Sequence, residues 1–336
     1  MKVLVTGIAG FIGMHVGSRL LDIGHNVIGI DNLNDYYDIN LKKARLKELT
    51  LKKKKFKFIK LDISNRKKIE ALFLKERFEI VINLAAQAGV RFSVESPYDY
   101  INSNVNGFLN LLEGARKVEV LNFIYASSSS VYGLNGNIPF NEDSSADHPK
   151  SLYGATKKSN ELMAHSYASL YNIPLTGLRF FTVYGPWGRP DMALFLFTKA
   201  IISNLPINVY NKGNMKRDFT YIDDVVEVII RLTDKPATPS KIFNKLNPQS
   251  SLSDAPHRIF NVGNNKPISL KKYILHLENI IGRSAIKNLL PMQLGDVKST
   301  SSDNLAIQKW VGYKPNTDIN VGIKKFVTWY RNFYRV

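Results

Sequence analysis

The residues best suited to do chemistry lie between positions 127 and 157. Tyr153 and Lys157 stand four apart, which in a helix puts a phenol and an ammonium on one face, one turn from each other. A cation beside a phenol favours the phenolate, drawing a pKa of about 10 toward neutrality, so the ring oxygen can serve as a general base. Upstream, Ser127, Ser128, Ser129 and Ser130 precede Val131-Tyr132-Gly133. That cluster supplies a hydroxyl able to relay or polarise the same proton.

A second group lies near the start of the chain. An apolar run over residues 2–6 leads into Gly7-Ile8-Ala9-Gly10-Phe11-Ile12-Gly13. Glycines in such a place let the chain turn sharply and let backbone N–H groups at a helix start approach a pyrophosphate, while helix packs closely on strand. Asp31, followed by Asn32, comes about 20 residues further on, where a carboxylate accepts hydrogen bonds from an adenosine ribose. The same charge repels a 2′-phosphate, which favours NAD over NADP; the plainer alternative is that Asp31 only caps a turn. Asp62 and Ile63 are expected to border the adenine. Leu84-Ala85-Ala86-Gln87-Ala88 contains small residues that permit close approach of the backbone to the cofactor.

Elements that can position these groups follow from periodicity. Residues 2–6, 26–30, 56–60, 80–84, 122–126 and 175–179 read as short buried strands separated by helical or turn-rich segments. That alternation predicts an α/β fold built on a doubly wound parallel (Rossmann) sheet, with ligands at the carboxyl ends of its strands. Two long helices are expected, at about 98–118 and 153–171. Beyond Gly185 the pattern loosens, with shorter helices at 194–203, 223–233, 269–281 and 320–334 and a Pro/Ser/Asn-rich surface loop at 235–256. The expected division is a cofactor-binding domain over 1–180 and a smaller mixed lobe over 181–336, with 220–235 packing back on the first.

Composition removes several function classes. The 336 residues include no cysteine, so disulfides, thiolate metal sites and cysteine nucleophiles are excluded. His15, His25, His148, His165, His257 and His276 lack metal-ligand spacing, so no metal is expected and each reads as a surface or packing residue. No run of about 18 apolar residues suggests a membrane span, and the first residues lack a small-residue cleavage site, so a cytoplasmic chain that opens directly on structure is expected. A net charge of +18 favours anionic partners. Its densest part, residues 42–60 with Lys52-Lys53-Lys54-Lys55, reads as a solvated face, because no aromatic pattern of a nucleic-acid site accompanies it.

Together, Thr6–Gly13, the serine cluster before Val131-Tyr132-Gly133 and the Tyr153/Lys157 pair resemble the extended short-chain dehydrogenase/reductase family over nearly the whole chain. Four further stretches are similar to the UDP-glucuronate 4-epimerases within that family. They are Asp31-Asn32-Leu33-Asn34-Asp35-Tyr36-Tyr37-Asp38, Gln87-Ala88-Gly89-Val90-Arg91, residues 179–192 and residues 217–224. The resemblance implies that Tyr153 is the base, that Lys157 orients the nicotinamide ribose and that Ser128 is the hydroxyl partner, with Asn104 near the site. It implies a UDP-sugar oxidised and re-reduced at C4 by bound NAD, in a homodimer formed through the two long helices. A glucuronate oxidised at C4 is a β-keto acid that loses CO2 unless its carboxylate is held, and Arg91 and Arg189 have the fork to hold it. Decarboxylating relatives carry a glutamate where this chain has Ser130, which favours epimerisation. Arg217 matches the family's pyrophosphate-binding arginine, with Ser129, Thr182, Lys199, Gln293 and Asp296 around sugar, phosphate and uridine. Relatives have a proline where this chain has Leu294 in Gln293-Leu294-Gly295-Asp296, which loosens that turn. A 4-epimerase of a neutral UDP-sugar and a non-catalytic nucleotide sensor on the same fold are the competing readings.

Overall fold

The structure is a computed structural model in which residues 1–51, 55–293 and 295–336 are described. Lys52, Lys53, Lys54 and Leu294, noted in the sequence, lie outside the described residues.

The six expected strands form as β1 (Lys2–Thr6), β2 (Asn26–Asp31), β3 (Phe56–Lys60), β4 (Ile80–Asn83), β5 (Asn122–Ser128) and β6 (Leu175–Phe180). The rest of the chain adds β7 (Thr182–Tyr184), β8 (Ile207–Val209), β9 (Lys216–Tyr221), β10 (His257–Val262), β11 (Pro267–Ser269) and β12 (Lys287–Leu289). The main sheet runs β10-β6-β5-β4-β1-β2-β3 with every pairing parallel. Apart from the edge strand β3, its strands are buried on both faces, as a sheet covered by helices requires. Val3 and Val5 belong to the core on one face and Leu4 to the core on the other; Ile124 opposes Phe123 and Tyr125 in the same way.

The strand order reverses between β1 and β4, which opens a crevice at their carboxyl ends. One side chain ties that switch point together. Thr6 Oγ1 donates to Asn83 Oδ1 at 2.6 Å and accepts from the backbone N–H of Leu84 and Ala85.

Two departures from the expected elements matter for the site. The helix expected over 98–118 is a helical turn at Pro97–Tyr100, a π-helical stretch at Ile101–Asn106 and an α-helix at Gly107–Val118. Apolar spacing cannot reveal such a widened turn, which is common at functional positions. The second departure concerns the expected boundary near residue 180. β10 returns to the main sheet beside β6, whereas the Ile222–Thr233 helix lies against the Phe11–Asp22 helix and β5, within the 220–235 stretch expected to pack back. Residues 257–262 therefore belong to the sheet. The sequence pattern hid them because His257 and Arg258 open a strand that is nevertheless buried throughout.

The Leu152–Tyr171 helix begins one residue earlier than expected. Ser151 caps it, accepting from the Gly154 N–H at 3.1 Å, and Asn172 ends it in the left-handed conformation. Its buried positions, among them Lys157, Glu161, Ala164 and Ala168, recur every three or four residues. Glu161 meets the fully buried Arg179 fork to fork, with Nε–Oε1 at 2.8 Å and Nη2–Oε2 at 2.9 Å, and also accepts from Ser127 Oγ. Removing one partner of such a pair strands the other charge in the core. Glu161→Leu is therefore expected to lower unfolding free energy by about 3–5 kcal/mol in urea titrations. Glu227→Ala, which breaks the solvent-facing pair with Arg231, is expected to cost less than about 1 kcal/mol.

Candidate active site

A cavity of about 980 Å3 follows the carboxyl edge of the main sheet and extends into the lobe. At the switch point the backbone fits a dinucleotide. Gly7 takes φ +67°, and a side-chain carbon at Gly13 would lie 2.1 Å from the Gly7 carbonyl oxygen, so neither position admits a larger residue. Gly10 caps the Phe11–Asp22 helix without a side-chain hydrogen bond, which leaves first-turn N–H groups for an anion. Asp31 accepts from Leu33 N at 2.8 Å and Ala9 N at 3.2 Å while it lines the cavity. Burial raises its pKa against those hydrogen bonds and the nearby Lys42 and Arg45 charges. Asp62 is held by Asn32 Nδ2 at 2.7 Å, and both side chains face the same space. Gly7, Gly10, Phe11, Ile12, Gly13, Ile63, Leu84, Ala85 and Ala86 complete this wall.

The reacting groups stand further along. Ser128 ends β5, Ser129 starts the short 3-10 turn Ser129–Tyr132, and both line the cavity with Tyr153 and Lys157. Ser128 Oγ donates to Ser130 Oγ at 3.1 Å and accepts from the Ser130 N–H. Burial pushes the Tyr153 phenol up, while the Arg189 charge and a hydrogen bond from Ser128 pull it down. Lys157, the expected cationic neighbour, is turned toward a backbone carbonyl. Its ammonium is 6.0 Å from the Tyr153 ring centre, donates to the Ala126 carbonyl at 2.9 Å, and is itself pushed down to about 8 by burial.

The π-helical stretch places Asn104 behind this pair. Asn104 Oδ1 accepts from Gln87 N, its Nδ2 donates to Gln87 O and Thr156 Oγ1, and its own carbonyl accepts from Asn160. Asn104 thus fixes the segment after β4 to the helix that carries Tyr153 and Lys157.

At the lobe side, Arg189 forks onto Asp191, with Nε–Oδ1 at 3.0 Å and Nη2–Oδ2 at 2.5 Å, and Tyr36 donates to the same carboxylate at 3.2 Å. Arg91 does not join this group. It pairs with Asp296 at 3.5 Å and lies over the Tyr210 ring, and Arg217 reaches Asp296 from the other side at 3.6 Å. Thr182 also lines the cavity, on the short strand β7. Two expected residues do not. Lys199 is exposed on a helix whose Leu196, Phe197 and Ala200 form the wall, and Gln293 is half-buried outside the lining, to which Gly295, Asp296 and Val297 contribute instead.

The lysine-rich segment also differs from the expected solvated face at its start. Lys42 is buried over the Tyr37 ring, with Nζ on the Asn34 carbonyl and side chain, and Arg45 is fully buried. Tyr36, Tyr37, Asp191 and Tyr210 went without an assigned role in the sequence because nothing in a tyrosine or an i,i+2 Arg–Asp pair marks it as a cavity residue.

Similarity to known proteins agrees with this geometry. The NAD dependent epimerase/dehydratase family is matched over residues 3–245. The chain belongs to that family. Protein CapI of Staphylococcus aureus is 52% identical over all of both chains. UDP-glucuronate 4-epimerase 4 of Arabidopsis thaliana is 45% identical over 99% of this chain and 76% of its own. The crystal structure of UDP-glucuronic acid 4-epimerase from Bacillus cereus, in complex with UDP-glucuronic acid and NAD, has a TM-score of 0.88 at 33% identity, covering 99% of this chain and 100% of that one. NAD is accordingly the cofactor of this enzyme, and the crevice at Gly7–Gly13 has the shape and donors for it.

Lys157 offers a check on the site's electrostatics. Its pKa is about 8 when folded against about 10.4 unfolded, so between those values the unfolded chain binds more protons and stability rises with pH. The burial penalty is fully present below about pH 8. Lys157→Met lacks it. Urea unfolding is therefore expected to show wild type gaining on Lys157→Met as pH rises from about 8 to about 10.

Proposed function

We propose that the protein interconverts UDP-glucuronate and UDP-galacturonate, with Tyr153 as the base. The observation that carries this reading is Arg189, a guanidinium that holds a carboxylate by two points and whose charge acts on the Tyr153 phenol. Ser130 in place of a glutamate in the serine cluster, and relatives and a neighbouring structure that bear the name UDP-glucuronate 4-epimerase, support it.

Bound NAD supplies hydride acceptance from C4 of the sugar and its return. The chain's own groups do the rest. Tyr153 takes the proton of the C4 hydroxyl as the carbonyl forms and gives it back after the sugar has presented its other face. Ser128 hydrogen-bonds the moving proton's oxygen, and Lys157 orients the cofactor ribose. Between the two transfers the sugar is a β-keto acid, which decarboxylates when its carboxylate bond stands perpendicular to the carbonyl plane. Arg189 holds that carboxylate in plane, displacing Asp191 from the fork. Arg217, Arg91 and Asp296 face the diphosphate and uridine end, with Thr182 and Ser129 beside the sugar. The same helices that carry Asn104 and Tyr153 also expose Tyr98, Leu109 and Leu162, the apolar face through which two copies pair.

A neutral UDP-sugar is the second reading, favoured by one observation: Asp191 already neutralises Arg189. Incubation of the pure protein with UDP-glucuronate, followed by NMR, is expected to yield UDP-galacturonate; unchanged substrate, or pentose alone, refutes the assignment. Tyr153→Phe is expected to lose about 10²–10⁴-fold in kcat. Arg189→Ala is expected to release UDP-pentose from UDP-glucuronate, whereas an enzyme for neutral sugars would be indifferent to that change.

A further inference from the structure

Arg45 is fully buried, yet among the described residues it belongs to neither the cavity wall nor any ion pair. Its Nη1 donates to the Ala9 carbonyl at 3.0 Å and to Tyr37 Oη at 2.7 Å; its Nη2 donates to the carbonyls of Trp187 at 2.7 Å and Gly188 at 3.2 Å. The two ends of this fork lie on different parts of the site. Ala9 sits in the middle of the glycine-rich turn, and its N–H is held by Asp31, so Ala9 is held at both its N–H and its carbonyl. Trp187 and Gly188 are the last residues before Arg189.

The turn at 185–188 needs holding. Trp187 has φ +62°, a left-handed conformation uncommon for a bulky residue, and it persists only where its surroundings over-determine it. Its ring is packed against Trp329 and Phe333 of the Ile319–Tyr334 helix, and its carbonyl is taken by Arg45. A second strap runs alongside. His15, on the Phe11–Asp22 helix, donates from Nε2 to the Pro186 carbonyl at 3.0 Å, and burial holds that imidazole below its ordinary pKa, in the neutral form. Both straps therefore originate in the cofactor half and end in the turn that presents Arg189.

From this geometry we propose that Arg45 is a positioning residue that transmits the order of the dinucleotide-binding turn to the 185–188 turn, and so fixes Arg189 when the cofactor is in place. A guanidinium suits the task because its planar fork addresses carbonyls on two sides at once, which an ammonium cannot. The direction of the coupling is reciprocal: whatever tightens Ala9 tightens Trp187, and loosening either weakens the other. The inference rests on the cofactor part of the reading above and not on the identity of the sugar.

Hydrogen exchange of peptides covering residues 185–188, with and without saturating NAD+, tests it. In the wild-type protein NAD+ is expected to slow exchange there about tenfold. In Arg45→Lys, which keeps the charge but cannot span both carbonyl sets, that slowing is expected to vanish, while the dissociation constant for NAD+, read by calorimetry, rises about tenfold. Arg45→Gln, shorter and uncharged, is the second variant should the lysine not be accommodated, and is expected to behave alike. A merely structural arginine would lower thermal stability and leave the NAD+-induced protection intact. That result, or wild-type protein in which NAD+ leaves 185–188 unchanged, overturns the proposal. Neither readout involves a sugar, so protein that shows the protection but does not epimerise UDP-glucuronate counts against the substrate assignment alone.

Discussion

Burial raises the pKa of the Tyr153 phenol, and the Arg189 charge together with the Ser128 hydroxyl lowers it. The acidity of the base therefore depends on where three separate pieces of chain come to rest: the end of β5, the capped start of the Leu152–Tyr171 helix, and the turn before Arg189. Much of the fold around the site reads as the means of holding these three. Asn104 joins the segment after β4 to the Tyr153 helix. The Glu161–Arg179 pair, with Ser127, joins that helix to β5 and β6. Arg45 and His15 bring in the turn.

The parallel sheet was legible because most of its strands, the edge strand β3 apart, are buried on both faces and so read as largely apolar runs separated by helical patterns. The cofactor wall was legible for a related reason. Glycines, an acid at the end of the next strand and small residues after the fourth each answer a steric or hydrogen-bonding demand of a dinucleotide, and every one of them lines the cavity. β10 escaped because His257 and Arg258 make a buried strand look polar, although His257 meets Tyr125 Oη across the core. The π-helical stretch escaped because a single widened turn barely disturbs apolar spacing.

Charged residues were read least well, because a sequence does not say which cation is solvated. Lys42 and Arg45 stand in a lysine-rich segment that resembles any exposed helix, yet both turn inward onto backbone carbonyls. Lys199 goes the other way, facing solvent from a helix that lines the cavity with its apolar side. The phenol's cationic neighbour shows the same uncertainty. Lysine four residues on is the obvious partner in sequence, but in the folded chain its ammonium is drawn to the Ala126 carbonyl, and the charge acting on the ring comes from Arg189 in the lobe.

The most direct measurement is the titration of the Tyr153 phenol itself, taken as the tyrosinate difference absorbance between the wild-type protein and Tyr153→Phe, and repeated in an Arg189→Ala background. The account predicts that the apparent pKa of this phenol moves higher when the Arg189 charge is removed. A phenol whose titration ignores the loss of Arg189 would contradict it.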